Sequence, residues 1–242
     1  MTYCVAIRMR EGMVFVADSR TNAGVDHIAT FRKMHLFPGT DGNRAMVLMS
    51  AGNLATTQSV VSLLRQLDSE GNGLNACDSF YAAAELVGRT ARSVVERDAG
   101  PRQEHVDFGS SFILGGQIRG DAMRLFHIYP EGNFIEASED TPYLQIGEIK
   151  YGKPIIDRVI SIDTPLDQGV KCALISMDST IRSNLSVGMP LDLLIYHKDS
   201  FSLQSHYDIH DSHEGYQQLR EAWSRGLADT FQTLPDMPWR TD

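Results

Sequence analysis

The stretch that decides the fold is the first twenty residues, MTYCVAIRMREGMVFVADSR (1–20). Tyr3 to Met9 is a strand rich in apolar residues, Arg10-Glu11-Gly12 is a tight turn, and Met13 to Ala17 is a second apolar strand. A hairpin of this length returns the end of its second strand to the start of its first. Asp18 is therefore expected beside Thr2, the residue directly behind the initiator methionine.

The same grammar continues outward from the hairpin. Met34 to Phe37 and Ala45 to Ser50 form another strand pair around the turn-rich PGTDGNR. A helix follows from about Leu54 to Leu67, with Leu54, Val60, Val61, Leu64 and Leu67 near helical spacing. A second helix is expected from about Ser79 to Glu96, with Asp78 as its N-cap. Strands then return at Ser110 to Gln117, Met123 to Pro130 and NFIEAS. PYLQIGEIKYGKPIID runs from a strand through a glycine turn into a short helix, and Asp167 to Ser179 forms a third helix. PLDLLIYHK and FSLQSHYDI close a last strand pair, and HEGYQQLREAWSRGLADTFQTL is an amphipathic tail helix broken by Pro235 and Pro238. Hairpin clusters alternating with helix pairs do not build a doubly wound parallel sheet. They predict an α+β chain with two antiparallel sheets face to face and helices outside. The domain is read as one unit over 1–242, with a core of about 2–204 and a C-terminal helical extension of about 205–242.

Composition narrows the function. The 242 residues are 42% hydrophobic and 22% charged, as in ordinary globular proteins. A net charge of −9, with no dense Lys/Arg block, argues against a nucleic-acid partner. No apolar run approaches the roughly 20 residues that span a bilayer, so no membrane partner is expected. The N-terminus lacks the basic and apolar regions of a signal peptide. Cys4, Cys77 and Cys172 are odd in number and widely spaced, which points to a reducing cytoplasm and away from disulfide or zinc frameworks. His206, His210 and His213 have metal-compatible spacing on a helix, but their Asp-rich context reads as a loop, so neither a metal nor a cofactor is assigned.

The chemistry gathers around Thr2, Asp18 and Lys33. A threonine hydroxyl is a poor nucleophile until a base takes its proton. Removal of Met1 would give Thr2 a free α-amine, a group that titrates near ~8 and sits within reach of the hydroxyl. Lys33, just before the third strand, would lower the cost of the alkoxide, and Asp18 would hold Lys33 in place and charged.

These residues, with FRKMHLF (31–37) and MVLMSAGNLATT (46–57), resemble the N-terminal nucleophile hydrolases of the proteasome β-type and HslV group, and most closely its Anbu family. The ordered pattern is a terminal Thr, D-x-R after the second strand, a Lys before a short strand, and (S/A)-x-G before a helix. It stands here as Thr2, Asp18 with Arg20, Lys33, and Ser50-Ala51-Gly52. FILGGQ, YLQIGEIKYGKP and ALISMDSTIRSNLSVG extend the resemblance over about residues 2 to 196.

The resemblance implies a four-layer αββα sandwich. Thr2 would be nucleophile and, through its amine, general base, with Lys33 and Asp18 as electrostatic support. The Gly52 N–H would line an oxyanion hole at a helix N-terminus, and Ser183 would orient the Thr2 amine. The implied activity is amide or peptide hydrolysis inside a homo-oligomeric ring or helical assembly, with an ATPase or other partner left open. The chain departs from the pattern at Gly147-Glu148-Ile149, where proteasomal subunits carry a serine after the glycine. A carboxylate at Glu148 would tend to keep the amine protonated. Two other readings therefore stand beside the peptidase: a hydrolase of small amides, and a catalytically weak scaffold subunit of a ring or filament.

Overall fold

The apolar strands predicted at the N-terminus form the centre of the first sheet. In the computed structural model, which describes residues 1–22, 28–99 and 107–237, β1 (Tyr3–Met9) pairs antiparallel with β2 (Gly12–Asp18), Val5 opposite Val16. β11 (Leu191–His197) lies against β2 and β12 (His206–Ile209) against β11, while β10 (Tyr143–Gly147) flanks β1, giving the order β10-β1-β2-β11-β12.

Both faces of β1 and β2 are buried because each strand separates two cores. Val5, Ile7, Met9, Val14 and Val16 point to α3 (Ile149–Val159) and α4 (Leu166–Ser183). Cys4, Ala6, Met13, Phe15 and Ala17 point to the second sheet. The near-continuous apolar run of 3–17 is the sequence signature of that double burial. The second sheet is β5 (Met34–Pro38), β6 (Arg44–Gly52), β7 (Ser110–Ile118), β8 (Arg124–Ile128) and β9 (Phe134–Glu136) in sequential antiparallel order. Its Val47, Met49 and Ile113 face the first sheet. Met46, Leu48, Phe112 and Leu114 face α1 (Leu54–Ser69) and α2 (Phe80–Asp98). The result is an αββα sandwich. Gly115 is part of its packing: a Cβ there would press on the Phe15 ring and Leu125.

Four details differ from expectation. Ser79, not Asp78, caps α2, its hydroxyl accepting the Ala82 N–H at 3.1 Å. The helix expected over 167–179 begins at Leu166 and runs on to Ser183. The final strand is only four residues long, and Asp199 and Phe201 take positive φ in the segment before it. A small hairpin, β3 (Arg20–Asn22) with β4 (Ile28–Thr30), was not anticipated. The tail helix α5 (Glu214–Thr233) is capped by His213 and packs on α4, burying Tyr216. Pro238 lies outside the described residues.

Candidate active site

Asp18 ends β2, the position read from the hairpin, and is fully buried. Its Oδ1 accepts the Tyr3 N–H at 2.9 Å and Lys33 Nζ at 2.7 Å, and its Oδ2 accepts the Gly188 N–H at 3.3 Å. One carboxylate thus ties the backbone directly after Thr2 to the side chain of Lys33. Burial leaves the Asp18 carboxyl above the usual carboxylate range, with Lys33 and the two N–H groups opposing that rise. All three neighbours are donors, so a carboxylic proton would find no acceptor among them, and the group is held as a carboxylate.

Lys33 is 6% exposed. Its ammonium also donates to the Arg20 carbonyl at 2.8 Å and to the Met1 carbonyl at 3.5 Å. A buried lysine with a carboxylate and two carbonyls around it is a fixed cation rather than a solvated one.

Thr2, Lys33, Gly52 and Glu148 line one cavity of about 490 Å³, together with Met1, Ala51, Leu54, Thr57 and Gly147. Leu54 and Thr57 bring the first turn of α1 to its wall. Asn53 caps that helix by accepting the Thr56 N–H at 3.2 Å, leaving the positive end of the helix at the cavity. Gly52 has φ of +116°, and a Cβ there would collide with the Gly109 carbonyl, so glycine is the residue this corner accepts. A second cavity of about 450 Å³ shares Ala51, Gly52 and Gly147 with the first and continues past Asp107, Ser110, Ser111, Pro130 and Glu131.

Glu148 precedes α3, and its N–H donates to the Thr2 carbonyl at 2.8 Å. Its carboxylate stands 3.5 Å from the exposed ammonium of Lys150. The residue before it supplies a requirement that sequence reasoning missed. Gly147 has φ of +85°, and a Cβ there would fall on the Thr2 carbonyl. The only sequence signal was a glycine between a strand and a helix, which is also what an ordinary turn shows.

Ser183 is not brought to this cavity. It is the exposed last residue of α4 and lines a groove with Ser179, Trp223 and Leu227 against α5. The helix sets this: Ser179 and Ser183 are four residues apart and share a face. The next residue, Asn184, leaves the helix towards the N-terminus, with its Nδ2 4.0 Å from Met1 Sδ. His206, His210 and His213 do not share a helix face: His206 is in β12, His210 is in the exposed turn, and His213 caps α5. All three cysteines are free, and burial raises the Cys4 and Cys172 thiols, the latter to about 12. Neither is poised as a nucleophile. No helix among the described residues is long and apolar enough to cross a membrane.

No protein-family model matches the chain, and no curated protein does. Solved structures do. Anbu (ancestral beta-subunit) from Yersinia bercovieri is 57% identical with a TM-score of 0.92, the match covering 98% of this chain and 100% of that one. The helical assembly of the Anbu complex from Pseudomonas aeruginosa is 52% identical with a TM-score of 0.94, covering 99% and 100%. An Anbu mutant from Hyphomicrobium sp. strain MC1 is 48% identical with a TM-score of 0.92, covering 99% and 100%.

Proposed function

The chain belongs to the Anbu family of proteasome-related β-subunits, and from that premise we propose that it is a proteasome-type N-terminal threonine hydrolase acting on peptide bonds within an assembly of its own copies. The observation that carries this reading is the Asp18 carboxylate, which binds the Tyr3 N–H and Lys33 Nζ together at the end of the chain where Thr2 begins. A buried ion pair in that position has a chemical use: a fixed cation beside the residue whose hydroxyl must ionise.

Met1 is 63% exposed and is itself part of the cavity wall. Its removal would open the cavity and convert the Thr2 amide nitrogen to a free amine. In the proposed cycle the amine takes the hydroxyl proton as Thr2 Oγ attacks the substrate carbonyl carbon. The oxyanion faces the Gly52 N–H at the positive end of α1, where a preorganised donor is worth ~3–4 kcal/mol. The C–N bond breaks, the leaving amine takes the proton, and an ester remains on Thr2. Water, deprotonated by the same amine, attacks the ester and restores the hydroxyl.

The second cavity favours a peptide over a small amide. The two spaces share Ala51, Gly52 and Gly147 in their walls, so a second concave surface lies next to the Thr2 cavity for a longer substrate. The placement of Glu148 favours activity over a scaffold role, because its carboxylate has Lys150 as a counter-ion and so exerts less hold on the Thr2 amine. Self-assembly is supported by the helical assembly of the Pseudomonas aeruginosa relative. The free cysteines fit a reducing cytoplasm.

The test is cleavage of a mixed peptide library by the purified assembly, with Thr2→Ala as the control. Cleavage lost in Thr2→Ala supports the reading. Hydrolysis of small amides alone would favour the narrower hydrolase, and equal background in both proteins would favour the scaffold.

A further inference from the structure

Lys33 lies on a short irregular stretch, Phe31–Lys33, between β4 and β5 rather than within a strand. The backbone there is held by the Phe31 N–H to the Ser19 carbonyl at 3.0 Å and by the Ser50 N–H to the Lys33 carbonyl at 2.9 Å. Arg32, between those two anchors, adds a third made by its side chain. Its Nη1 donates to Asp192 Oδ1 at 2.5 Å and its Nη2 to Asp208 Oδ2 at 2.9 Å.

Asp192 sits on β11, opposite Ala17 of β2 and Asp208 of β12, and is 1% exposed. Its Oδ1 also faces His206 Nε2 at 3.2 Å, and its Oδ2 accepts the Ser19 hydroxyl at 3.5 Å. Ser19 follows Asp18 directly, and Arg32 precedes Lys33 directly. One buried carboxylate outside the Thr2 cavity is therefore bonded to the neighbours of both members of the ion pair. Asp192, His206 and Asp208 bring their ligand atoms within 4.8 Å of one another. That spacing is cation-like, and the cation filling it is the Arg32 guanidinium.

We propose that Asp192 is a positioning residue for the Lys33–Asp18 pair, gripping the two flanking segments through Arg32 and Ser19. Lysine carries its charge on a flexible stem, so the place of its ammonium depends on how firmly the backbone at 31–33 is held. A charge-assisted hydrogen bond from Arg32 to a buried carboxylate is a strong local anchor. Without it, the stretch keeps the two backbone bonds and the contacts of Lys33 itself, and Lys33 exchanges those contacts for solvent more readily.

The significance for catalysis rests on the threonine-hydrolase reading, but the grip on Lys33 is measurable without it. The full-length protein is treated briefly with an acetylating ester, and modification of each lysine is read by mass spectrometry. Arg32→Gln, Asp192→Asn and Arg32→Lys are compared with the parent. Asp178→Asn, which removes the carboxylate of the distant Arg220 pair, serves as control. Lys33 is 6% exposed in the parent, so its acetylation is expected to rise about tenfold or more in Arg32→Gln and Asp192→Asn, as the ammonium gains access to solvent. Lys150 and Lys171 should be unchanged, Arg32→Lys should recover part of the protection, and Asp178→Asn should leave Lys33 as it was. Arg32 is half exposed, so Arg32→Gln gives the answer if Asp192→Asn does not fold. The rate at which a threonine-directed electrophile modifies Thr2 should fall in the same variants, with its pH midpoint moved. Unchanged Lys33 acetylation in folded Arg32→Gln overturns the proposal. A parent protein that is not modified at Thr2 but shows the Lys33 pattern would overturn the hydrolase reading and leave the positioning role standing.

Discussion

The Lys33–Asp18 pair has opposite consequences for stability and for chemistry, and substitutions separate them. Asp18→Asn leaves a buried ammonium without its carboxylate and is expected to cost about 3–5 kcal/mol, read from denaturant midpoints. Lys33→Met keeps the volume of the stem but leaves the buried Asp18 carboxylate with only the Tyr3 and Gly188 N–H donors, a cost expected towards the lower end of the same range. It should fold, yet modify at Thr2 at least ~100-fold more slowly, by the measure of other electrostatic groups in catalysis. Gly147→Ala forces a Cβ onto the Thr2 carbonyl at positive φ. It should lose about 2 kcal/mol or more and displace Thr2, visible as loss of electrophile labelling. Among these residues, the place of Asp18 was legible because a hairpin fixes it from local rules, and that of Lys33 because it precedes a strand; Gly52 was reached through the family resemblance. The place of Ser183 was not legible, because its direction depends on helix phase: one residue along a helix is a rotation of about 100°.

At the level of elements, strand pairing within hairpins was readable and sheet-to-sheet register was not. The run 3–17 gave both strands, yet only the structure shows that Phe15 faces Gly115 across the sandwich, since that contact joins segments a hundred residues apart. The β3–β4 hairpin escaped because three-residue strands leave no usable alternation. β5 carries a titration that tests the packing of the second sheet. Burial, with a contribution from Arg65, lowers His35 from its usual value to about 4. Below about pH 6.5 the unfolded chain takes a proton that the folded chain refuses until about pH 4. Stability should therefore fall as pH falls through that window, by at most ~3 kcal/mol from this group. His35→Gln should remove that part of the slope in urea melts at pH 4 to 7, and an identical slope would show that His35 is not held neutral.

For the molecule as a whole, the unfinished surface is the second half of α5 and the segment that follows it. Tyr216 is covered, but Leu227, Phe231, Leu234 and Met237 are 52%, 70%, 57% and 63% exposed. The amphipathic tail helix thus covers its own domain only in part. In the proposed assembly, a neighbouring copy would give the remainder a partner of the right character. Phe231→Glu with Leu234→Glu should lower the mass of the assembly by light scattering while leaving the circular dichroism of the subunit intact. An unchanged mass would remove α5 from the interface. At the other end of the chain stands the proposed Thr2 nucleophile, and intact-mass spectrometry of the purified protein, before and after a threonine-directed electrophile, decides whether it operates. The predicted result is a chain lacking Met1 that gains one adduct, mapped to Thr2 and absent from Thr2→Ala. A chain that keeps Met1, or one without Met1 that gains no adduct at Thr2, would contradict it.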